Sequence, residues 1–219
     1  MEVTPVSDYW NEILASGETV YAGLIYRVPP RLWRPLISVQ NELKTIDPRQ
    51  LYSSPSTFHI SVKGLGYLEE EVDRIRYERV LSRIKKILEE VPPFEIRLRG
   101  IGAFPTAIYA KVEDGGKFRE VNTRILNDLK GEIDSSRYDA EEFVPHVNLA
   151  SFNSKDVSRL LEKIDSPSLR ERDFGVAGVY EIEAVRINLI IALGPSETQD
   201  GAFTYARSFW LGKFSKNLP

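Results

Sequence analysis

Two short stretches of this sequence, Phe58-His59-Ile60-Ser61-Val62 and Pro145-His146-Val147-Asn148-Leu149, decide how the rest of the chain is interpreted. They contain the only two histidines among 219 residues, and each histidine is followed two positions later by a small hydrogen-bonding side chain. The residues that alternate with and follow these side chains are apolar and mostly β-branched, which is typical of strands. We therefore expect each histidine to lie on a strand.

A strand directs alternate side chains to opposite faces, so residues two positions apart share a face. His59 therefore projects with Ser61, and His146 projects with Asn148, whereas their apolar neighbours point toward a core. Each stretch presents one imidazole beside one neutral hydrogen-bond donor. The alternative is that both histidines merely occupy half-buried strands and have no joint role.

The composition excludes several kinds of protein and site. A net charge of −3 excludes a broadly basic surface, so any contact with nucleic acid should be local, at a groove. The absence of cysteine excludes disulfides, thiolate nucleophiles and thiolate metal sites. Two histidines far apart in sequence argue against a conventional multi-histidine zinc site. We expect neither a metal nor a cofactor.

No basic segment followed by a long apolar run opens the chain, which argues against a signal peptide. The longest apolar stretch, residues 187–193, is interrupted by Asn188 and is far shorter than the roughly 20 residues of a membrane span. We interpret 187–193 as a buried strand. The sequence therefore predicts a cytoplasmic protein without a membrane association, and we expect a monomer.

Hydrophobic periodicity predicts an alternating order of strands and helices. The predicted strands are 19–28, the first histidine strand ending at Gly64 and Gly66, 94–101, 107–112, the second histidine strand at 143–152, two within 174–193, and 203–211. The predicted helices are 31–46, 69–91, 118–129 and 155–164. Each half of the chain thus contains a strand, a helix and a histidine strand. This order favours an α+β protein with mainly antiparallel sheets.

Strand parity also selects side chains for contact with a phosphate or a stacked base. Some share a face with a histidine, and others share the polar face of a neighbouring strand. These candidate substrate-binding residues are Lys63, Arg97, Arg99, Tyr109, Lys111 and Arg207. For each of them, ordinary solvated charge or strand packing is the alternative.

The two histidine motifs resemble those of the 2H phosphoesterase superfamily, which includes the 2′-5′ RNA ligase-like proteins. His59-Ile60-Ser61-Val62, followed by Leu65-Gly66, is similar to the first motif of that family. Pro145-His146-Val147-Asn148-Leu149-Ala150 is similar to the second, including the proline before the histidine. Residues 94–104 resemble the segment that separates the two motifs.

The resemblance implies a single bilobal domain over residues 1–219, with one histidine motif per lobe, at 57–63 and 145–149. Two mainly antiparallel sheets would face each other across a central groove, with helices on the outside. The implied activity is metal-independent hydrolysis of 2′,3′-cyclic phosphate at RNA 3′ ends or on small nucleotides. One histidine would act as general acid and the other as general base, and which is which stays open.

In this scheme Ser61 and Asn148 would hold the non-bridging phosphate oxygens, where charge accumulates. The chain departs from the family pattern at Asn148, where Thr or Ser is usual, and at Ser151, where a basic residue often follows. An amide can still donate a hydrogen bond to phosphate. The alternatives are a non-catalytic module that binds an RNA end or a nucleotide, and a 3′-end RNA exonuclease. Weak RNA ligation in the reverse direction also remains open, and all of these imply a role in RNA processing.

Overall fold

The computed structural model describes residues 1–17, 19–67, 73–133 and 143–212. Within these residues the strands are β1 (Val20–Arg27), β2 (Leu51–Tyr52), β3 (His59–Tyr67), β4 (Phe94–Ala103), β5 (Ala107–Glu113), β6 (His146–Ser151), β7 (Asp173–Val179), β8 (Glu181–Asn188) and β9 (Phe203–Trp210). The helices are α1 (Val6–Ser16), α2 (Trp33–Lys44), α3 (Asp73–Glu89), α4 (Lys117–Asp128), α5 (Ser158–Ile164), α6 (Pro167–Arg170) and α7 (Leu189–Ala192).

The predicted α+β class is confirmed, and every strand pairing in the described part of the chain is antiparallel. The helical periodicity of α2 produces the expected buried stripe of Leu36, Val39 and Leu43. The alternation in β4 buries Ile96 and Leu98. Both patterns turn apolar side chains toward one core and leave polar side chains outside.

Several boundaries differ from the sequence predictions. The strand β3 does not end at Gly64 and Gly66 but continues to Tyr67. The second histidine strand is shorter than 143–152, since β6 begins at His146, and the helix predicted at 155–164 begins at Ser158. Part of the helix predicted at 69–91 lies outside the described residues. The helix α1, which covers Val6–Ser16, was not predicted.

The prediction of a buried strand at 187–193 is wrong beyond Asn188. The side chain of Asn188 accepts a hydrogen bond from the backbone N–H of Ile191 at 3.2 Å, which caps the single helical turn α7. Ile190 in this turn is exposed. The apolar run therefore turns away from the sheet instead of extending it, because the Asn188 side chain binds the backbone of the turn that follows it.

The strands form one sheet in the order β7-β4-β5-β6-β3-β1-β8-β9, with β2 paired to β6. The two predicted sheets are thus joined edge to edge, and the join between β3 and β6 consists of one residue pair, Ile60 with Val147. The order is symmetrical about this join, because β1-α2-β3 on one side matches β5-α4-β6 on the other. Register shifts along β1 and β3 add curvature to the sheet.

Beyond their single pair, β3 and β6 make no further backbone pairing with each other. Buried amide side chains donate hydrogen bonds to backbone carbonyls of both strands near this point. Asn122 of α4 donates from Nδ2 to the carbonyl of Val62 at 2.7 Å. Gln40 of α2 donates from Nε2 to the carbonyl of Leu149 at 2.8 Å and to that of Ser53 at 2.8 Å. Val62 and Leu149 each lie two residues after the joining pair, and the carbonyl of Leu149 also accepts the backbone N–H of Ser53 at 2.9 Å.

No helix in the described part of the chain is long and apolar enough to cross a bilayer.

We expect Gln40→Met to lower the free energy of unfolding by about 1–3 kcal/mol, because buried carbonyls lose a donor while side-chain volume is kept. Urea denaturation followed by tryptophan fluorescence measures this change. The matched control is Asn41→Met, an exposed position on the same helix, where the expected change is below about 0.5 kcal/mol. Equal losses in the two variants would show that the buried amide contributes nothing.

Candidate active site

Both histidine rings are fixed by the same local contact. Nδ1 of His59 lies 2.7 Å from the carbonyl oxygen of Thr57, and Nδ1 of His146 lies 2.8 Å from that of Val144. A carbonyl oxygen only accepts hydrogen bonds, so Nδ1 carries the proton in each ring and donates it. The unprotonated atom of each neutral ring is therefore Nε2.

The residues two positions after each histidine project with it, as strand parity predicts. The hydroxyl of Ser61 lies 3.1 Å from Nε2 of His59 and donates to it in this tautomer. The amide of Asn148 donates from Nδ2 to Oγ of Ser151 at 3.3 Å. The other amide atom, Oδ1 of Asn148, is buried and has no hydrogen-bond partner among the described residues.

Ser151 joins the site because β6 bulges. Tyr109 of β5 pairs with Asn148, but the next pair is Ile108 with Ala150, so one residue of β6 is unmatched. Strand parity alone would place the side chains of Ser151 and Asn148 on opposite faces of β6. The extra residue reverses the alternation, so Ser151 lines the cavity together with Asn148. A bulge depends on the partner strand, so the sequence around Ser151 alone carries no signal for it.

A cavity of about 480 Å³ brings the two motifs together. Its polar lining comes from both histidine strands and includes His59, Ser61, Lys63, His146 and Asn148. Four predicted catalytic residues and one predicted substrate-binding residue thus meet in one space. The side chain of Lys63 is almost completely buried, with 1% of the residue exposed.

An aromatic side chain packs edge to face against each histidine. Phe203 of β9 lies 4.9 Å from the ring of His59, and Phe104 lies 4.9 Å from the ring of His146. The guanidinium of Arg27 lies over Phe203 at 5.5 Å. Sequence reasoning did not select Phe203 or Arg27 as site residues. Phe203 reaches His59 from β9 and Arg27 from β1, and the pattern along β3 alone does not show which side chains of other strands lie beside His59.

Burial lowers the pKa of both histidines. The pKa of His59 falls to about 4, because burial and then the neighbouring His146 and Arg27 disfavour its charged form, while the hydrogen bond to Thr57 opposes this. Burial also lowers the pKa of His146, and the hydrogen bond to Val144 opposes it. Both imidazoles of the free protein are therefore neutral at pH 7.

The remaining predicted substrate-binding residues fall into two groups. Tyr109 stacks on Phe104 at 4.1 Å and lies 5.4 Å from the ring of His146, and Lys111 is the register partner of His146 on β5. None of these five residues lines the cavity. Arg97 pairs with Asp173 at 2.6 Å, Arg207 pairs with Glu78 at 2.9 Å, and Arg99 is exposed on β4. A role in substrate binding stays a prediction for all of these residues.

In the described part of the chain, no three side chains of His, Cys, Asp or Glu converge as ligands for a metal ion. The hydrogen-bonding groups that do converge are imidazole, hydroxyl, amide and ammonium groups. Such a set can donate hydrogen bonds to an anion and can exchange protons with it.

Comparisons with known proteins find similar sequences and similar folds. Residues 28–185 match the family model described as the 2′-5′ RNA ligase superfamily. The chain is 26% identical over 171 residues to an RNA 2′,3′-cyclic phosphodiesterase of Methanothermobacter thermautotrophicus, covering 75% of this chain and 88% of that protein. It is 25% identical over 169 residues to the protein of the same name from Aquifex aeolicus, covering 72% and 80%.

Solved structures share the fold. TT0787 of Thermus thermophilus aligns with a TM-score of 0.63 at 22% identity, covering 89% of this chain and 100% of that one. E. coli LigT complexed with 3′-AMP aligns with a TM-score of 0.65 at 12% identity, covering 87% and 97%. At these identities the structures establish the architecture alone.

We expect NMR titration of the untagged protein to give midpoints below pH 6.5 for both histidines, with that of His59 at about 4. The two Cε1–H signals can be assigned with His59→Gln and His146→Gln. Because an unfolded chain binds the same proton at about pH 6.5, neutral His59 stabilises the fold above that pH, and this contribution is lost as the pH falls toward 4. A midpoint for His59 at or above 6.5 would contradict its burial.

Proposed function

The chain belongs to the 2′-5′ RNA ligase superfamily, and on that basis we propose that it hydrolyses 2′,3′-cyclic phosphates at RNA 3′ ends or on small nucleotides by two-histidine acid–base catalysis. The observation that carries the proposal is the matched pair of imidazoles. Each has Nδ1 fixed on a backbone carbonyl, and each lines the same cavity. The relatives named RNA 2′,3′-cyclic phosphodiesterase support the substrate class.

The reaction needs two proton transfers and no change of oxidation state. The oxygen of a water molecule attacks phosphorus, and the bond from phosphorus to one ribose oxygen breaks. One neutral imidazole takes the proton of the attacking water at Nε2. The other imidazole, protonated, gives a proton from Nε2 to the departing ribose oxygen. The two rings exchange protonation states in one turnover and return to the starting state by exchange with solvent.

The low pKa values of the free protein fit a substrate that carries negative charge. A cyclic phosphodiester is an anion, and a nearby anion raises the pKa of an imidazole. Substrate binding would therefore supply the protonated ring that the free protein lacks at pH 7. For the same reason, a protonated ring binds the phosphate more tightly than a neutral ring does.

Three neutral donors surround the place where the phosphate would lie. Ser61 donates to His59 while that ring is neutral, and its hydroxyl becomes available to a phosphate oxygen once Nε2 is protonated. The amide of Asn148 and the hydroxyl of Ser151 form a hydrogen-bonded pair on the opposite strand. These groups would stabilise the charge that grows on the non-bridging oxygens. Lys63, which lines the same cavity, would add a cation.

We expect His59→Gln and His146→Gln each to lower kcat by about 10²–10⁴ or more, because each removes a general acid or base. The assay uses an oligoribonucleotide that ends in a 2′,3′-cyclic phosphate, in the presence of EDTA, and separates 2′- from 3′-phosphate products. The matched control is Arg159→Gln, a substitution at an exposed position of α5 outside the cavity, which should leave kcat unchanged.

Loss of turnover in EDTA alone would overturn the metal-independent mechanism, and an active histidine variant would overturn the two-histidine one. Tight, salt-sensitive binding of the same oligonucleotide without product would instead identify a binding module. Shortened oligonucleotides would identify a 3′-end exonuclease.

We also expect Asn148→Ala to lower kcat/KM by about 10²-fold, because it removes one donor to the transition state. Asn127→Ala, at an exposed position of α4, is the control and should retain full activity. Steady-state kinetics with a cyclic mononucleotide measures both variants. Unchanged activity in Asn148→Ala would exclude the amide from the site of charge stabilisation.

The proposed activity acts on RNA ends and therefore belongs to RNA processing. Action as a monomer in the cytoplasm, and weak ligation in the reverse direction, remain predictions from the sequence.

A further inference from the structure

A basic residue lies directly opposite each histidine on the neighbouring strand. Arg27, the last residue of β1, is the register partner of His59, and Lys111 of β5 is the register partner of His146. Opposed residues of an antiparallel pair project on the same face of the sheet, with their Cβ atoms about 5 Å apart. The two halves of the sheet therefore place a cation beside each imidazole in the same way.

The two cations differ in their surroundings. The side chain of Arg27 is 37% exposed, and its guanidinium lies over the ring of Phe203 at 5.5 Å. The same phenyl ring packs edge to face on His59 at 4.9 Å. Lys111, in contrast, is exposed to solvent. Water screens an exposed charge more than a half-buried one, so the cation of the first half acts on its histidine more strongly than the cation of the second half.

Glu183 fixes the guanidinium of Arg27 but does not cancel its charge at His59. Nε of Arg27 donates to Oε2 of Glu183 at 2.6 Å. Glu183 belongs to β8, where it is the register partner of Ile25 on β1, so it lies one strand further from His59 than Arg27 does. Adjacent strands are about 4.8 Å apart, and the interaction between charges weakens with distance. The pair therefore leaves a net positive field at His59.

The other ionisable groups near His59 do not have this combination of place and sign. Tyr21, Lys63 and His146 line the cavity that the two histidines share. Oδ1 of Asp200 accepts the hydroxyl of Ser56, in the loop before His59, and an anion there favours a protonated imidazole. Of these groups, Arg27 alone is directly opposite His59 and carries a charge that disfavours a proton on it.

We propose that Arg27 is a positioning residue that makes the two histidines unequal, so that a single proton taken up by the site rests on His146 and His59 stays neutral. This role rests on the proposed function and deepens it. The reaction uses one neutral and one protonated imidazole, and with two equal rings about half of the singly protonated molecules would carry the proton on the wrong ring. The matched contacts at the two Nδ1 atoms do not supply this distinction.

The test follows the Cε1–H signals of both histidines in the free protein by NMR. In the wild type we expect His146 to titrate at a higher pH than His59. In Arg27→Gln the midpoint of His59 should rise by about half a pH unit or more, because a neighbouring cation no longer opposes the proton. The midpoint of His146 should stay nearly unchanged. Arg27→Lys keeps the charge and should keep the wild-type midpoint of His59.

Two further variants separate this role from a structural one. Glu183→Gln removes the anion that partly offsets Arg27, so the midpoint of His59 should fall, which is measured as a smaller protonated fraction at the wild-type midpoint. A merely structural ion pair would not produce shifts of opposite sign, because Arg27→Gln and Glu183→Gln break the same contact. Lys111→Gln is the matched control, since it removes the exposed cation opposite His146 and should shift neither midpoint.

Three results would overturn the inference. The first is an unchanged midpoint of His59 in Arg27→Gln. The second is a shift of the same sign in Arg27→Gln and Glu183→Gln. The third is a rise of the His146 midpoint in Lys111→Gln as large as the rise of the His59 midpoint in Arg27→Gln.

Turnover provides a second readout, which depends on the proposed function. With cytidine 2′,3′-cyclic phosphate, the acid limb of the pH profile of kcat/KM reports the more weakly basic group of the free protein, and the alkaline limb reports the other. Arg27→Gln should move the acid limb to higher pH and leave the alkaline limb in place. Unchanged limbs in an active Arg27→Gln would overturn its role in the reaction. A wild type without turnover would overturn the proposed function, and the NMR midpoints would then decide the effect of Arg27 on His59.

Discussion

A buried backbone carbonyl needs a hydrogen-bond donor, and this need governs the centre of the sheet. The strands β3 and β6 pair at Ile60 and Val147 and then separate, which leaves the carbonyls of Val62 and Leu149 inside the protein without each other's strand as a partner. The amide of Asn122 in α4 donates to the carbonyl of Val62, and the carbonyl of Leu149 accepts both the amide of Gln40 in α2 and the backbone N–H of Ser53. The separation can persist because these donors are present, and the separation is what opens a cavity between the two histidine strands.

The same join explains why two residues distant in sequence lie in one place. His59 and His146 each immediately precede a member of the joining pair, and because the strands are antiparallel they lie on either side of that pair, both lining the same cavity. The cavity contains two neutral imidazoles and several neutral donors, and burial keeps the pKa of both rings low. Under the proposed function, such a site would gain a charged ring when an anionic substrate enters.

Local sequence was sufficient for features set by alternation along one strand. The pairing of His59 with Ser61 and of His146 with Asn148, the burial of Ile60 and Val147, and the antiparallel α+β class all follow from periodicity. Features that depend on a partner element were not predictable. The bulge that turns Ser151 into the cavity is created by the register with β5. The turn α7 is a different case, because the contact from the side chain of Asn188 to the backbone three residues ahead is local, but the apolar pattern around it favours a strand.

The partners of the two Nδ1 atoms have an evolutionary consequence. In each ring the acceptor is a main-chain oxygen, which every residue type possesses, and not the carboxylate of a side chain. A single codon change at Thr57 or Val144 would alter a side chain and leave that oxygen in the chain. Ring orientation is therefore buffered against substitution at those two positions, and selection on orientation would leave little trace there. Relatives could diverge widely around the histidines while keeping the same tautomer.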